Sequence, residues 1–418
     1  MQKLIKSKIF WIFFVAFCFR LILSFLIWHP DLNNHIDWGI RFWQYGPAKF
    51  YTENVWNFTW PNQPPGTIYM FAGIRKLFEF IFGIFWIINT KIPAFPSIVI
   101  SFFETNLYPA LIKLPAILAD FGIAYLIYKW TNKKWASLIF LINPVIWYNS
   151  SVWGQYDSVI NFFALLAFYL LNKKKLLFAI IAFILSIYIK ASLLIFAPIF
   201  LIIAIRQKYS FKKYILSLVL SLIVVALVTL PFSQGEPFSW LYYLYKDKVF
   251  IDQLHVVSAN AFNLWGAIFG VKDSAVEIKD FLPFFGFTYQ IWGYILFIIS
   301  YIPLLYKVYR NNDLKVVAWT LALTAFASFM LLTNMHERYL YPLFPYLTIL
   351  LTMGVVANWE YWLITAISLL GMYNFWFTPK INIIISFLSF GDRLMPRILG
   401  FLLFILLLKL YTRYNEIK

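Results

Sequence analysis

The sequence predicts an all-α, polytopic membrane protein, on three observations. Apolar residues make up 62% of 418 and charged residues 13%, with a mean hydropathy of +0.74, far outside the range of soluble domains. Runs of membrane-crossing length recur along the chain, bounded by Lys/Arg or by Pro/Gly. Aromatic residues reach 22% and many sit near the ends of those runs, as interfacial belts do.

The first run, Ile9 to Trp28, follows the basic stretch MQKLIKSK. It has about 20 residues and no small-residue cleavage site, so it reads as an uncleaved signal anchor. Further runs fall near 108–128, 135–152, 157–171, 214–231, 289–306, 316–333, 340–356, 361–377 and 397–411. The longer run 176–205 lies between Lys173, Lys174 and Lys175 on one side and Arg206 and Lys208 on the other, and reads as a hairpin of two short helices turning near Lys190. The total is about 12 transmembrane helices.

Basic clusters alternate along this series: Lys3/Lys6/Lys8, Lys129/Lys133/Lys134, the 173–175 lysines, Arg206/Lys208/Lys212/Lys213, Lys307/Arg310/Lys315 and Lys409/Arg413/Lys418. The positive-inside rule then puts both termini in the cytoplasm and two long loops, 29–107 and 232–288, on the extracytoplasmic side. Within the first loop, segment 66–86 is apolar on one face with Arg75, Lys76 and Glu79 on the other, the pattern of an interfacial helix. No soluble domain or internal repeat stands out, so residues 1–418 read as one integral membrane domain.

The net charge of +17 is dispersed among those short clusters, which fits topology and anionic lipid and argues against a nucleic-acid partner. A single cysteine, Cys18, gives neither an intrachain disulfide nor a thiolate metal site. The four histidines, His29, His35, His255 and His336, lack a zinc-ligand spacing, and neither a G-x-G-x-x-G nor a Walker A pattern offers a nucleotide or other cofactor a site.

The residues that carry candidate chemistry cluster in the predicted extracytoplasmic segments. Asp31 and Asp37 lie in the first loop, with Trp38 seven residues after Asp31 and a Pro64-Pro65 turn beyond. They read either as solvated loop carboxylates or as a general base acting on an acceptor hydroxyl. NPVIWYNSSVWGQYDSV places Gln155 and Asp157 at a turn, where Asp157 is alternatively a helix cap. Lys190 is either a snorkelling lysine or a contact for phosphate, and Arg20 inside the first run calls for a polar partner. NMHERYLYP groups His336, Glu337 and Arg338 between two apolar runs, an expensive placement unless they are paired or meet an ionic ligand. In SANAFNLWG, Asn260, Asn263 and Trp265 have the amide and aromatic groups that bind sugars, or else plug a loop.

In order and placement these motifs resemble the GT-C glycosyltransferases, multispanning enzymes that use polyprenyl-phosphate-linked sugars, and among them the dolichyl-phosphate-glucose glucosyltransferases and prokaryotic relatives. Asp31, Trp38 and the Gln63-Pro64-Pro65-Gly66 turn are similar to that family's first-loop Asp, Trp and Tyr-Pro-Pro turn, with Gln63 in place of Tyr. Asp120 in KLPAILADFGIAYLIY looks like the Asp of its second helix, WGQYD like its Gln-aromatic-Asn/Asp element, and NAFNLW like a loop motif of its prokaryotic members. MHERYL looks like its His-Glu-Lys/Arg element near the donor phosphate.

The resemblance implies a GT-C fold and an inverting, metal-independent hexosyltransferase without a cofactor. Such an enzyme moves glucose or mannose from a polyprenyl-phosphate donor to an extracytoplasmic or lumenal lipid-linked or envelope glycan. Asp31 is the expected general base and Asp37 the next candidate. His336, Glu337, Arg338 and Lys190 are expected at the donor phosphate, and Gln155, Asp157, Asn260, Asn263, Trp265 and Trp38 at the sugar or acceptor. The other classes open to this sequence are a lipid-sugar transporter and a non-catalytic subunit of an envelope glycan assembly.

Overall fold

Apolar side chains leave the backbone nowhere to hydrogen-bond except within itself, and helices are the chain's answer. The computed structural model describes residues 8–251, 254–271 and 278–416, with the side chains of residues 8, 9 and 249–251 excepted. Lys3, Lys6 and Lys418, counted above for topology, lie outside the described residues. The helices are α1 (Lys8–Leu26), α2 (Leu32–Tyr45), α3 (Pro65–Lys91), α4 (Ser97–Thr131), α5 (Lys134–Ile142), α6 (Asp157–Asn172), α7 (Leu176–Ile189), α8 (Ala197–Arg206) and α9 (Phe211–Ser233). There follow α10 (Leu264–Phe269), α11 (Tyr289–Arg310), α12 (Leu314–Leu331), α13 (Leu343–Thr352), α14 (Asn358–Tyr373) and α15 (Asn382–Asn415). Among the described residues the only paired strands are Pro283–Phe284 and Phe287–Thr288, a minimal antiparallel hairpin.

Among the described residues five helices, α4, α9, α11, α12 and α15, are long and apolar enough to cross a membrane, and several further apolar helices are shorter. The chain is thus all-helical and compatible with an integral membrane protein.

Several expected elements differ in extent. α4 runs for 35 residues where 108–128 was expected, carrying Pro109 and Pro115 inside it. Both prolines also fall inside the expected run, and a long helix tolerates the lost bonds when packing holds both sides; the difference lies in the extension back to Ser97. The stretch 135–152, expected as one helix, is broken. A residue before proline is pushed out of the helical region, and Asn143 is accordingly extended (φ −60°, ψ 121°) between α5 and Pro144. A short turn Pro144–Trp147 then leads into a π-helix, Tyr148–Trp153. In the run 176–205 the break falls at Lys190, which is extended (φ −156°, ψ 130°). α15 contains a non-helical interruption at Phe390, Gly391, Asp392 and Arg393.

The chain divides into two compact units, the first comprising Met1–Ile123, Trp147–Leu193 and Ser210–Asp252, the second Ala124–Ile146, Leu194–Tyr209 and Gln253–Lys418. In the first, α6 packs along α7, α7 against α3 and α9, α2 against α3, and the π-helix against α1. Its interior carries ions: the buried Arg20 Nε of α1 lies 3.4 Å from Asp120 Oδ2 of α4. In the second unit α12 is the axis, buried along 89% of its apolar window and packed by α11, α13 and α15. Such all-round apolarity belongs to a helix enclosed by others. Asn143 Nδ2 ties α5 to α14 by donating to Tyr361 Oη (2.9 Å) and Thr365 Oγ1 (3.0 Å).

Candidate active site

Asp31 occupies the N-cap position of α2, where an aspartate ordinarily accepts a hydrogen bond from the first turn of its own helix. Here it makes no such cap bond. Its half-buried carboxylate is met by a distant segment instead: Trp153 Nε1 donates to Oδ2 at 2.9 Å and Gln155 Nε2 donates to the same oxygen at 3.0 Å. The Asp31 backbone N–H donates to His29 Nδ1 at 3.2 Å, and the His29 ring stacks on the Trp153 indole with centroids 4.7 Å apart.

The π-helix delivers these donors. The extra residue in a π-turn changes which side chains face inward, a reason such turns recur at functional sites. The turn closes at Gly154, whose φ of +79° is the left-handed conformation that glycine adopts without penalty. A Cβ there would stand 2.3 Å from Leu32 Cδ2 and 3.1 Å from Lys113 Cγ, so the glycine also permits close approach to the residue following Asp31. Lys113, fully buried, donates from Nζ to the carbonyls of Ile27 (2.6 Å) and Ser24 (3.3 Å). It thereby satisfies the otherwise orphaned carbonyls at the C-terminus of α1, three residues before Pro30.

Two further carboxylates of this unit lean on the same turn. Asn149 Nδ2 donates to Asp157 Oδ2 at 3.2 Å, and Lys190 Nζ pairs with Asp157 Oδ1 at 3.0 Å. Asp120 accepts from Ser150 Oγ at 2.6 Å and Ser158 Oγ at 2.5 Å beside its ion pair with Arg20. Asp157 is therefore half of a buried ion pair, and a phosphate meeting Lys190 would share it with Asp157.

Asp37 and Trp38 have a different occupation. Asp37 accepts from Arg41 Nε (3.3 Å), from the Asn57 backbone N–H (3.0 Å) and from Asn57 Nδ2 (3.0 Å), while the Trp38 indole N–H donates to the Thr59 carbonyl at 2.8 Å. Both side chains fasten the 53–60 stretch of the loop to α2.

In the second unit the backbone joins the two loops that carried the remaining candidates. The Ala259 N–H donates to the Met335 carbonyl at 3.0 Å and the Asn334 N–H to the Val256 carbonyl at 2.9 Å, with Ala259 and Asn260 bridging to His336. Glu337, 5% exposed, lies between the Arg338 guanidinium and the His336 ring: Arg338 Nη1 is 3.7 Å from its Oε1 and His336 Nδ1 is 3.9 Å from its Oε2. The Trp376 indole N–H donates to Glu337 Oε1 at 3.2 Å. Asn260, at φ +59°, keeps a buried Oδ1 with no hydrogen-bond partner. Asn263 caps α10 through the Gly266 N–H (2.8 Å), and the buried Trp265 donates to the Leu331 carbonyl (2.8 Å) and packs with Val257 and Tyr289. Asn263 thus caps its own helix while its buried Nδ2 has no hydrogen-bond partner among the described residues, and Trp265 ties α10 to α12.

The sequence reading passed over Trp153, Asn149, Lys113 and Trp376. Trp153 stood in the quoted WGQYD element, and a lysine inside an apolar run is the unused signal that could have marked Lys113. Nothing local marks Asn149 or Trp376, because each is defined by a carboxylate elsewhere in the chain. The chain matches no family model and no curated protein.

Proposed function

We propose that this protein is a GT-C membrane glycosyltransferase with twelve spans, both termini cytoplasmic and the active site on the extracytoplasmic side. It transfers a hexose from a polyprenyl-phosphate donor to a lipid-linked or envelope glycan. The observation that carries the reading is the half-buried Asp31 carboxylate, which does not cap its own helix and is oriented instead by Trp153 and Gln155. A carboxylate fixed in this way suits a general base. It takes the proton of an acceptor hydroxyl as that oxygen bonds to the anomeric carbon, while the bond from that carbon to the phosphate oxygen breaks and polyprenyl phosphate leaves. Inversion follows from this single displacement.

For the second unit we make the separate proposal that Arg338 and His336 contact the donor phosphate, a guanidinium fork being suited to that anion. The test is transfer by purified wild-type and Asp31→Asn protein in lipid, offered a panel of short-chain polyprenyl-phosphate hexoses, with acceptor-bearing membrane extract and detection by mass spectrometry. Release by wild type alone supports the reaction and the base; release by both moves the base elsewhere.

A lipid-sugar transporter is the second reading, and the Arg20–Asp120 pair buried between apolar helices favours it, since ionisable groups within spans often mark transport paths. Movement of a labelled lipid-sugar across vesicles, without transfer, would select it.

A further inference from the structure

We infer that Trp153 is a positioning residue for Asp31, an inference that rests on the reading of Asp31 as the base. The indole is fully buried, held from one side by the His29 ring and turned so that its single N–H points at Asp31 Oδ2. An indole has only that one polar group, so its orientation and its hydrogen bond are the same fact. Gln155 sends a second donor to the same oxygen from the far side of Gly154. With two donors on one oxygen the carboxylate plane cannot rotate without breaking one of them.

The surroundings make this orientation stiff. Gly154 abuts Leu32, the residue after Asp31, and His29 accepts the Asp31 backbone N–H. Residues 153–155 thus grip residue 31 through its side chain and abut residue 32. The π-helix sets the register of that grip: its closing bond, Gly154 N–H to the Asn149 carbonyl at 3.0 Å, spans one residue more than an α-helical bond. Without the extra residue, Trp153 would swing about 100° around the helix axis, away from Asp31.

A carboxylate that must take a proton in the transition state gains from being fixed in advance, and misplacement by about 1 Å costs on the order of 100-fold. Trp153→Phe keeps the aromatic packing on His29 and removes only the donor. Gln155→Leu removes the second donor from outside the buried indole, and serves if the first variant does not fold. The direct readout is the infrared carboxylate stretch of Asp31 in protein labelled with carboxyl-13C aspartate, assigned by difference against Asp31→Asn in lipid nanodiscs.

The expected result is a displaced Asp31 band in each variant and a kcat lowered about 10- to 100-fold at unchanged donor KM. A purely structural role for Trp153 predicts a lowered melting temperature with the band in place, and an unmoved band in both variants overturns the inference. So does a displaced band with unchanged kcat. A displaced band in a protein whose wild type transfers no sugar keeps the grip on Asp31 and discards the glycosyltransferase reading instead.

Discussion

Asp31 and Asp37 stand six residues apart at the start of the same helix, and the partners that hold them are unlike in kind. Asp37 is met by a guanidinium from the next turn and by the backbone and side-chain amides of Asn57, so that its charge is balanced and its geometry locks a loop. Asp31 is met on Oδ2 by two neutral donors from a segment more than a hundred residues away. Neutral donors orient a carboxylate and moderate its charge, whereas an arginine cancels it. The neutral donors at Asp31 suit a group that must exchange a proton, and the guanidinium and amides at Asp37 a group that must not.

The largest effect expected from this contrast is on turnover. Asp31→Asn is isosteric, should leave thermal stability near that of wild type, and should lower transfer by about 10²- to 10⁴-fold, the usual contribution of a general base. Asp37→Asn should do the reverse. Replacing one carboxylate oxygen by NH2 aims a donor at Arg41 or at the Asn57 amide, leaving buried groups unsatisfied. The cost is about 1–3 kcal/mol for each, read as a lowered midpoint in detergent unfolding, with the activity of the surviving folded protein retained. Should Asp37→Asn abolish turnover without destabilisation while Asp31→Asn keeps it, the two assignments exchange.

The local sequence could not separate these residues. DLNNHID offers two aspartates near a Trp, and the physical distinction lies in Asn57, Trp153 and Gln155, whose approach is a tertiary fact. What was legible is what periodicity and punctuation encode: the helical class, the C-terminal end of the first apolar helix to within two residues, and the break at Lys190. Less legible was the run 135–152. Its apolar pattern is continuous, and only Asn143-Pro144 hinted at a break, while nothing signalled the π-turn that follows. Extent failed in α4 for a different reason: Ser101, Glu104, Thr105 and Asn106 end the apolar run near residue 107 but do not end the helix, which begins at Ser97. In the second unit, Asn263 and Trp265 have the composition of a sugar site; Asn263 Oδ1 caps α10 and the Trp265 N–H reaches the Leu331 carbonyl of α12, uses that composition alone does not reveal.

The third effect sharpens the contrast from the ligand side. Arg338 Nη1 lies 3.7 Å from Glu337 Oε1, in the segment between α12 and α13. If it contacts the donor phosphate, Arg338→Ala should weaken donor binding about 10- to 100-fold, the worth of one charge-assisted contact. Saturating donor should then restore kcat, the opposite of the pattern expected for Asp31→Asn. Unchanged donor affinity in a binding assay removes Arg338 from the phosphate.

The smallest effect concerns a third carboxylate of the 29–107 stretch, Glu79 in α3. It pairs with Lys76 (2.7 Å) and Arg75 (2.9 Å) and is 38% exposed. The hydrogen bond from the Lys76 ammonium, joined by that from Arg75, holds its carboxyl below the ordinary value against the opposing pull of partial burial. A depressed folded-state value means that the pair contributes above the unfolded carboxyl's range and that the contribution is lost as pH falls through the folded value. Glu79→Gln should therefore lower stability at neutral pH by only about 0.2–1 kcal/mol, as exposed pairs do. The difference from wild type should shrink in high salt and vanish at a pH where Glu79 is protonated in both states. A difference that persists unchanged in acid would show that Glu79 acts through packing on α3, and the ranking of the three carboxylates by the charge of their partners would then fail at its weakest member.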